Sequence, residues 1–142
     1  MAILAGDLAL VWADELMGKA GEMNIYTQMK QEVIFGQSLD VMRKQKKIGI
    51  SKHLIDVYKT AWYTVIRPIQ IGAAIAGADE KTIESFVPYG LVVGEAYQLR
   101  DDFLDGEISE EEFQKKAKKL VVPKSATMLF TDFANFVLER SV

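Results

Sequence analysis

The stretch Thr82–Asp105, TIESFVPYGLVVGEAYQLRDDFLD, decides how this chain is read. Its apolar residues keep helical spacing: Val92, Ala96, Leu99 and Phe103 form one stripe, and Phe86, Gly90, Gly94, Tyr97, Asp101 and Asp105 form another. A single helix is expected from Thr82 to Asp105, with Pro88 early in it and Gly106 ending it. Gly90 and Gly94 each cost a helix about 1 kcal/mol relative to alanine, so something is expected to approach the backbone closely there. The same stripe ends in carboxylates. Asp101, Asp102 and Asp105 occupy the last turns, where the helix dipole disfavours anions and their mutual repulsion adds to the cost. A cation should offset that. Asp at i and i+4 suits Mg²⁺, which takes one or two protein carboxylates and completes its octahedron with water and phosphate oxygens. On spacing alone, a solvated acidic helix end fits equally well.

The same helical period governs the rest of the chain. Residues 2–18 carry Ile3, Leu4, Leu8, Val11, Trp12 and Leu16 and run into Gly18 and Gly21; 23–46 carry Ile25, Met29, Val33, Phe35, Leu39 and Met42 and end in Arg43, Lys44, Lys46 and Lys47. Ser51 can cap a long third helix through Leu54, Ile55, Tyr58, Ala61, Trp62, Val65 and Ile69, which Pro68 should kink because the bond to the Thr64 carbonyl is lost. A charged helix at 110–120 and an amphipathic one at 125–139 complete the chain. The β-branched residues never alternate with polar ones for long, so the fold class is all-α, an antiparallel helix bundle.

Composition bounds the function. The 142 residues suffice for one domain, 1–142, with a real core. Seventeen basic against 20 acidic side chains give a net charge of -3, which disfavours nucleic acid and anionic lipid as partners. No apolar run is long enough for a membrane span. The absence of cysteine excludes thiolate chemistry and zinc–thiolate sites. The opening lacks a basic n-region and is interrupted by Asp7, so it reads poorly as a signal peptide, and a cytoplasmic location is expected. His53, the only histidine, has no companion at metal-ligand spacing.

The run Gly94-Glu95-Ala96-Tyr97-Gln98-Leu99-Arg100-Asp101-Asp102-Phe103-Leu104-Asp105 resembles the second aspartate-rich motif of the trans-type isoprenyl diphosphate synthases, the polyprenyl synthetase family, in which an aromatic-Gln pair precedes DDxxD. Three upstream segments match in order: Ala2-Ile3-Leu4-Ala5-Gly6-Asp7 the "AILAGD" helix, Gly36-Gln37-Ser38-Leu39-Asp40 the "GQxxD" element, and Lys59-Thr60-Ala61 with Tyr63 the "KTAxY" helix. The resemblance covers 1–105, leaving 106–142 as divergent C-terminal helices.

This resemblance implies a partial isoprenoid-synthase fold and a Mg²⁺-dependent prenyltransferase. An allylic diphosphate loses diphosphate, and the resulting cation alkylates the double bond of isopentenyl diphosphate. It implies that Asp101 is a direct Mg²⁺ ligand, with Asp102 and Asp105 acting through metal-bound water. Lys59 would contact the diphosphate, Thr60 and Gln98 would orient it, and Tyr97 would line the prenyl pocket. Gln37 and Asp40 project together from a helix and can support Lys59, with a surface or interface role fitting equally well. Without the resemblance, the stripe Lys52, Asp56, Lys59, Tyr63, Arg67, Gln70 reads as a solvated helix face, and Tyr97 reads equally well as a packing residue.

The family's first aspartate-rich motif precedes the "AILAGD" helix, and these residues hold no second DDxxD. The expectation is the C-terminal subunit of a split enzyme, active with a companion chain that carries the first motif, as a hetero-oligomer such as a pair of heterodimers. The relatives dimerise through the helices matching 1–16 and 23–42. A non-catalytic small subunit modulating a complete synthase is the alternative. Where relatives continue with Gly-Lys, this chain has Gly106-Glu107; Lys115, Lys116, Lys118 and Lys119 can replace that contact, although four lysines across five positions usually form a solvated face. A remote alternative lays Asp101–Glu112 on a calcium-binding EF-hand loop, with Phe103 where an oxygen ligand belongs.

Overall fold

The computed structural model describes residues 1–45, 49–122 and 128–139, and these contain helices and no strand. Helix α1 (Ala2–Ala20) ends at Gly21, whose φ of 87° is left-handed and whose N–H donates to the Met17 carbonyl; Gly18 lies inside the helix. α2 spans Met23–Lys44; Lys46 and Lys47 of the expected second helix lie outside the described residues. Ser51 does cap the third helix, its Oγ accepting from the Leu54 N–H at 3.3 Å.

That third helix changes register along its length. α3 (Lys52–Asp56) passes into a π-helical segment, Val57–Ile66, and then into α4, Arg67–Ile75. The Arg67 N–H donates to the Trp62 carbonyl, five residues back, and Pro68 becomes the second residue of α4. A residue without an N–H costs little where a new register begins, since the first-turn donors lack intrahelical partners anyway. The proline therefore sits at a register joint.

Beyond Gly77, whose φ is 82°, the expected single helix is two. α5 (Glu80–Glu84) starts at Asp79, whose carboxylate accepts from Thr82 N–H at 2.8 Å, and α6 runs Val87–Leu104. Pro88 explains the break: inside one helix it would clash with the Glu84 carbonyl, whereas at the second position of a new one it is tolerated. Gly106, at φ 72°, follows the end of α6 as expected. α7 (Glu110–Ala117) is capped by Ser109, and α8 is Met128–Glu139; residues 125–127 of the expected last helix are outside the described set.

The π-helical segment is the centre of the packing, held between α2 and α6. Glycine sits at each crossing. A Cβ on Gly36 of α2 would lie 3.0 Å from the Lys59 nitrogen and from Tyr58 Cβ; on Gly94 it would lie 2.3 Å from Ala61 Cβ, and on Gly90 2.3 Å from Ile66 Cγ1. What approaches the Gly90–Gly94 stripe is thus the neighbouring helix. The buried stripe of α6 is Tyr89, Val93, Ala96 and Leu99, of which the first three join Val65 and, from α8, Ala134 and Val137. Val92, expected in that stripe, lies half-buried, one position round the helix from Val93. Phe103 stacks on Phe113 of α7 with centroids 4.9 Å apart. Tyr89 Oη donates to the Phe130 carbonyl at 2.8 Å, fastening α8 to α6.

Two residues of the supposed solvated face are buried. Arg67 donates to both Glu32 carboxylate oxygens, at 2.9 and 2.6 Å, and to Gln70 Oε1 at 2.8 Å, while its guanidinium lies 4.4 Å from the Trp62 ring centre. Gln70 passes the network on to the Ile83 carbonyl of α5. Fully partnered, such a network is tolerated in the interior. α1 is the opposite case. It has no buried residue, and Ile3 and Trp12 are 80% and 58% exposed. It is tied to α2 by the Lys30–Asp14 ion pair at 2.6 Å.

Candidate functional site

The π-helical segment carries Lys59 and Thr60, and the C-terminal half of α6 carries Tyr97, Gln98 and the aspartates. Thr60 Oγ1 donates to Gln98 Oε1 at 3.3 Å, and Gln98 Nε2 donates to Asp102 Oδ1 at 2.8 Å. The close Gly94–Ala61 crossing lies one helical turn before Gln98 and makes this link possible. Two segments separated by some 40 residues of sequence therefore meet through side-chain hydrogen bonds.

Asp40 underlies Lys59. Its carboxylate is only 8% exposed and accepts from Lys59 Nζ at 3.2 Å and Lys44 Nζ at 3.1 Å, with an Arg43 nitrogen at 3.9 Å. Burial pushes the carboxyl up, but the two ammonium groups outweigh it and hold its pKa below the ordinary carboxylate value. Three cations around one anion leave a surplus of positive charge beside Lys59, the condition an anionic ligand requires. Gln37 is exposed and lines a groove along α2 with Ile34, Ser38, Val41, Met42 and Gln45.

The aspartates divide. Asp105 is exposed, and Asp101 is half-buried with a partner in the fold. Asp102 Oδ1 accepts from Lys52 Nζ at 2.5 Å as well as from Gln98, and Lys52 Nζ lies 3.5 Å from Glu107. Burial pulls the Lys52 ammonium down, yet Asp102, Asp56 and Glu107 more than offset it, and its pKa is raised. Asp56, one turn along α3, is pushed up chiefly by burial. Among the described residues no three acidic or imidazole groups converge into a closed metal cage. Mg²⁺ needs no such cage; the hard oxygens of Asp101 and Asp105, four residues apart near the end of α6, fit an ion that takes most of its ligands from water and phosphate.

A cavity of about 420 Å³ opens beside Asp102, walled by Val57, Ala61, Leu91, Val92 and Leu99, with Lys52, His53, Asp56 and Lys116 also in its lining. Of the residues the sequence nominated, Gln98 and Asp102 reach it, whereas Lys59, Thr60, Tyr97, Asp101 and Asp105 are not in its walls. Tyr97 packs against the Val65–Val93–Ala96 core. Lys52 and its tie to Asp102 carry no sequence signal: 50 residues separate the partners, and Lys52 falls on a stripe that reads as solvated. The EF-hand reading fails on geometry. Asp101–Leu104 is helical, and Glu112 lies in the first turn of α7, where it pairs with Lys116 at 2.8 Å. Lys115, Lys118 and Lys119 are exposed.

Comparison with known proteins points to one family. The profile of the polyprenyl synthetase family matches residues 1–133, running past Asp105 into α8. The geranylgeranyl diphosphate synthase of Methanosarcina mazei is 31% identical over 119 residues, covering 78% of this chain and 37% of that protein. Heptaprenyl diphosphate synthase component 2 of Bacillus subtilis is 29% identical over 119 residues, covering 81% of this chain and 34% of its own. The crystal structure of geranylgeranyl pyrophosphate synthase from Corynebacterium glutamicum, complexed with isoprenyl diphosphate and magnesium, superposes with a TM-score of 0.65 at 26% identity, over 96% of this chain and 49% of that one. The chain thus spans less than half the length of these relatives. With the family profile matched over nearly all of its residues, the chain belongs to the polyprenyl synthetase family.

Proposed function

We propose that this chain supplies the diphosphate- and Mg²⁺-binding half of a trans-isoprenyl diphosphate synthase, completed by a companion chain that carries the first aspartate-rich motif. The observation that carries the reading is the Thr60–Gln98–Asp102 line of hydrogen bonds, which ties the Lys59-Thr60 pair to the DDxxD motif. Lys59, seated on Asp40, binds diphosphate as a point charge. Thr60 and Gln98 orient it. Asp101 would hold Mg²⁺ directly, with Asp102 and Asp105 reaching it through bound water; when bound, the ion would stabilise charge building on the leaving diphosphate. Tyr97, wedged against the core, borders the prenyl chain. Ionisation of an allylic diphosphate needs no protein nucleophile, only stabilisation of the departing anion and exclusion of water, and the residues present supply the first of these.

The companion reading draws on the apolar faces left open. Ile3, Leu4, Leu8, Val11, Trp12 and Leu16 of α1, with Ile34 and Phe35 of α2, are exposed, and a surface of that kind marks an association site. The Bacillus subtilis relative is itself named a component. The test is reconstitution with a companion bearing DDxxD, Mg²⁺, labelled isopentenyl diphosphate and an allylic diphosphate. Turnover should need both chains and be lost with Asp101→Ala. Turnover by this chain alone refutes the split site; full turnover with Asp101→Ala moves the chain to the modulating subunit.

A further inference from the structure

Lys52 and Asp102 are each in the wrong place by local rules. Lys52 is the first residue of α3, where the helix dipole favours anions, and Asp102 is in the last turn of α6, where it favours cations. Asp102 also sits beside Asp101 and one turn from Asp105, which adds like-charge repulsion. The fold brings the two misplaced charges together at 2.5 Å, so that each local penalty is offset by the other. A residue that breaks a local rule with so specific a compensation marks a function.

We infer that Lys52 is a built-in counter-cation for the aspartate-rich motif, holding Asp102 in the metal-free chain and competing with a divalent cation for it. The inference rests on the proposed Mg²⁺ role of the motif and specifies how that motif is charged before the ion arrives. The ammonium is the cation expected from the helix-end carboxylates, contributed by a distant segment. Its surroundings resemble those of a bound ion: Asp102 and Glu107 lie within 3.5 Å, and Asp56 is one turn away on the same helix. The Asp102 side chain is 18% exposed and that of Lys52 37%, so the carboxylate is the more desolvated member and gains most from a nearby positive charge. Asp102 Oδ1 is shared with Gln98, whose own oxygen accepts from Thr60. Lys52 therefore positions the line to the diphosphate-binding segment, and a divalent ion drawing Asp102 away would move Gln98 with it. Lys52 is a positioning residue, with no contact to substrate required.

The test is Mn²⁺ binding, followed by loss of the free-ion electron paramagnetic resonance signal, in the full chain as wild type, Lys52→Met, Lys52→Arg, Lys52→Gln and Asp101→Asn, with far-ultraviolet circular dichroism to establish folding. Removing the competing charge should tighten Mn²⁺ by about threefold to tenfold in Lys52→Met and Lys52→Gln, the range being modest because the pair is partly solvated. Lys52→Arg should stay near wild type, and Asp101→Asn should lose binding. A merely structural lysine would leave Mn²⁺ affinity unchanged or weaken it in both neutral variants, and either result overturns the inference while the metal role of Asp101 stands. Absence of Mn²⁺ binding in the wild type and in both neutral variants overturns the inference, while the metal role of the motif in the completed enzyme is decided separately by the reconstitution with Asp101→Ala. If one neutral variant fails to fold, the other decides.

Discussion

Replacing Gly94 by alanine tests the packing on which the site depends. The new Cβ would fall 2.3 Å from Ala61 Cβ and 2.5 Å from Ala61 Cα, more than 1 Å inside the ~3.5–4.0 Å separation of carbon atoms in contact. Ala61 has no side-chain torsion through which to yield, so α6 and the π-helical segment must separate. The exchange gains about 1 kcal/mol of helix propensity. Against it stand the overpacking cost and the strain on the Thr60–Gln98 bond, leaving a net loss of about 2–3 kcal/mol and a Tm lowered by about 6–12 °C. Gly72→Ala is the internal control: it lies within α4 with nothing inside 4 Å of the added atom, so the same propensity gain should appear unopposed, as stabilisation of up to about 1 kcal/mol. Urea denaturation followed by circular dichroism measures both. Ala61→Gly in the Gly94→Ala background should recover only part of the loss, because the Ala61 Cα stays 2.5 Å from the new atom and a second helix glycine is introduced. A Gly94→Ala protein at least as stable as wild type would refute the close crossing.

Glu32→Ala should cost about 3–5 kcal/mol in chemical denaturation, because it strands the buried Arg67 guanidinium with Gln70 alone as hydrogen-bond acceptor. A loss below 1 kcal/mol would mean that Arg67 finds water. The two perturbed aspartates should give opposite pH signatures. Asp40 has a folded pKa below its ordinary value, so its contribution is present above the ordinary carboxylate range and disappears as pH falls through the folded pKa; Asp40→Asn should therefore flatten the acid limb of the stability curve. Asp56 is raised by burial, so it favours the fold only when protonated and that contribution is lost as pH rises. Asp56→Asn should raise Tm at pH 7 and lose its advantage in acid.

The helical class, the Ser51 cap, the Gly21 and Gly106 stops and the order of the motifs were all legible in the sequence, because each rests on local chemistry or spacing. Pro88 was legible as a proline but not as a boundary: its position admits either an early helix residue or the start of a new helix. The π register was hidden because ten residues of apolar rhythm fit either winding, and nothing local announces the close crossings with α2 and α6 that the segment makes at Gly36, Gly90 and Gly94. Arg67 and Gln70 carried the marks of a solvated face, since nothing near them in sequence announces Glu32. In the proposed site, Lys59, Thr60, Gln98 and the aspartates are nominated by motif alone. The parts that decide their electrostatics, Lys52 against Asp102 and Asp40 beneath Lys59, depend on which helices cross.

The absence of any buried residue in α1 makes that helix a separate unit of opening. Little apolar contact protects its amide hydrogens, so they should exchange with solvent far faster than those of α6, at a free energy well below that of global unfolding. Protection of α1 amides on adding a candidate companion would then report engagement of that face directly, before any turnover is measured. Until such a cover is present, protease should find α1 first, and the helix that opens the chain would be the last to become a stable part of it.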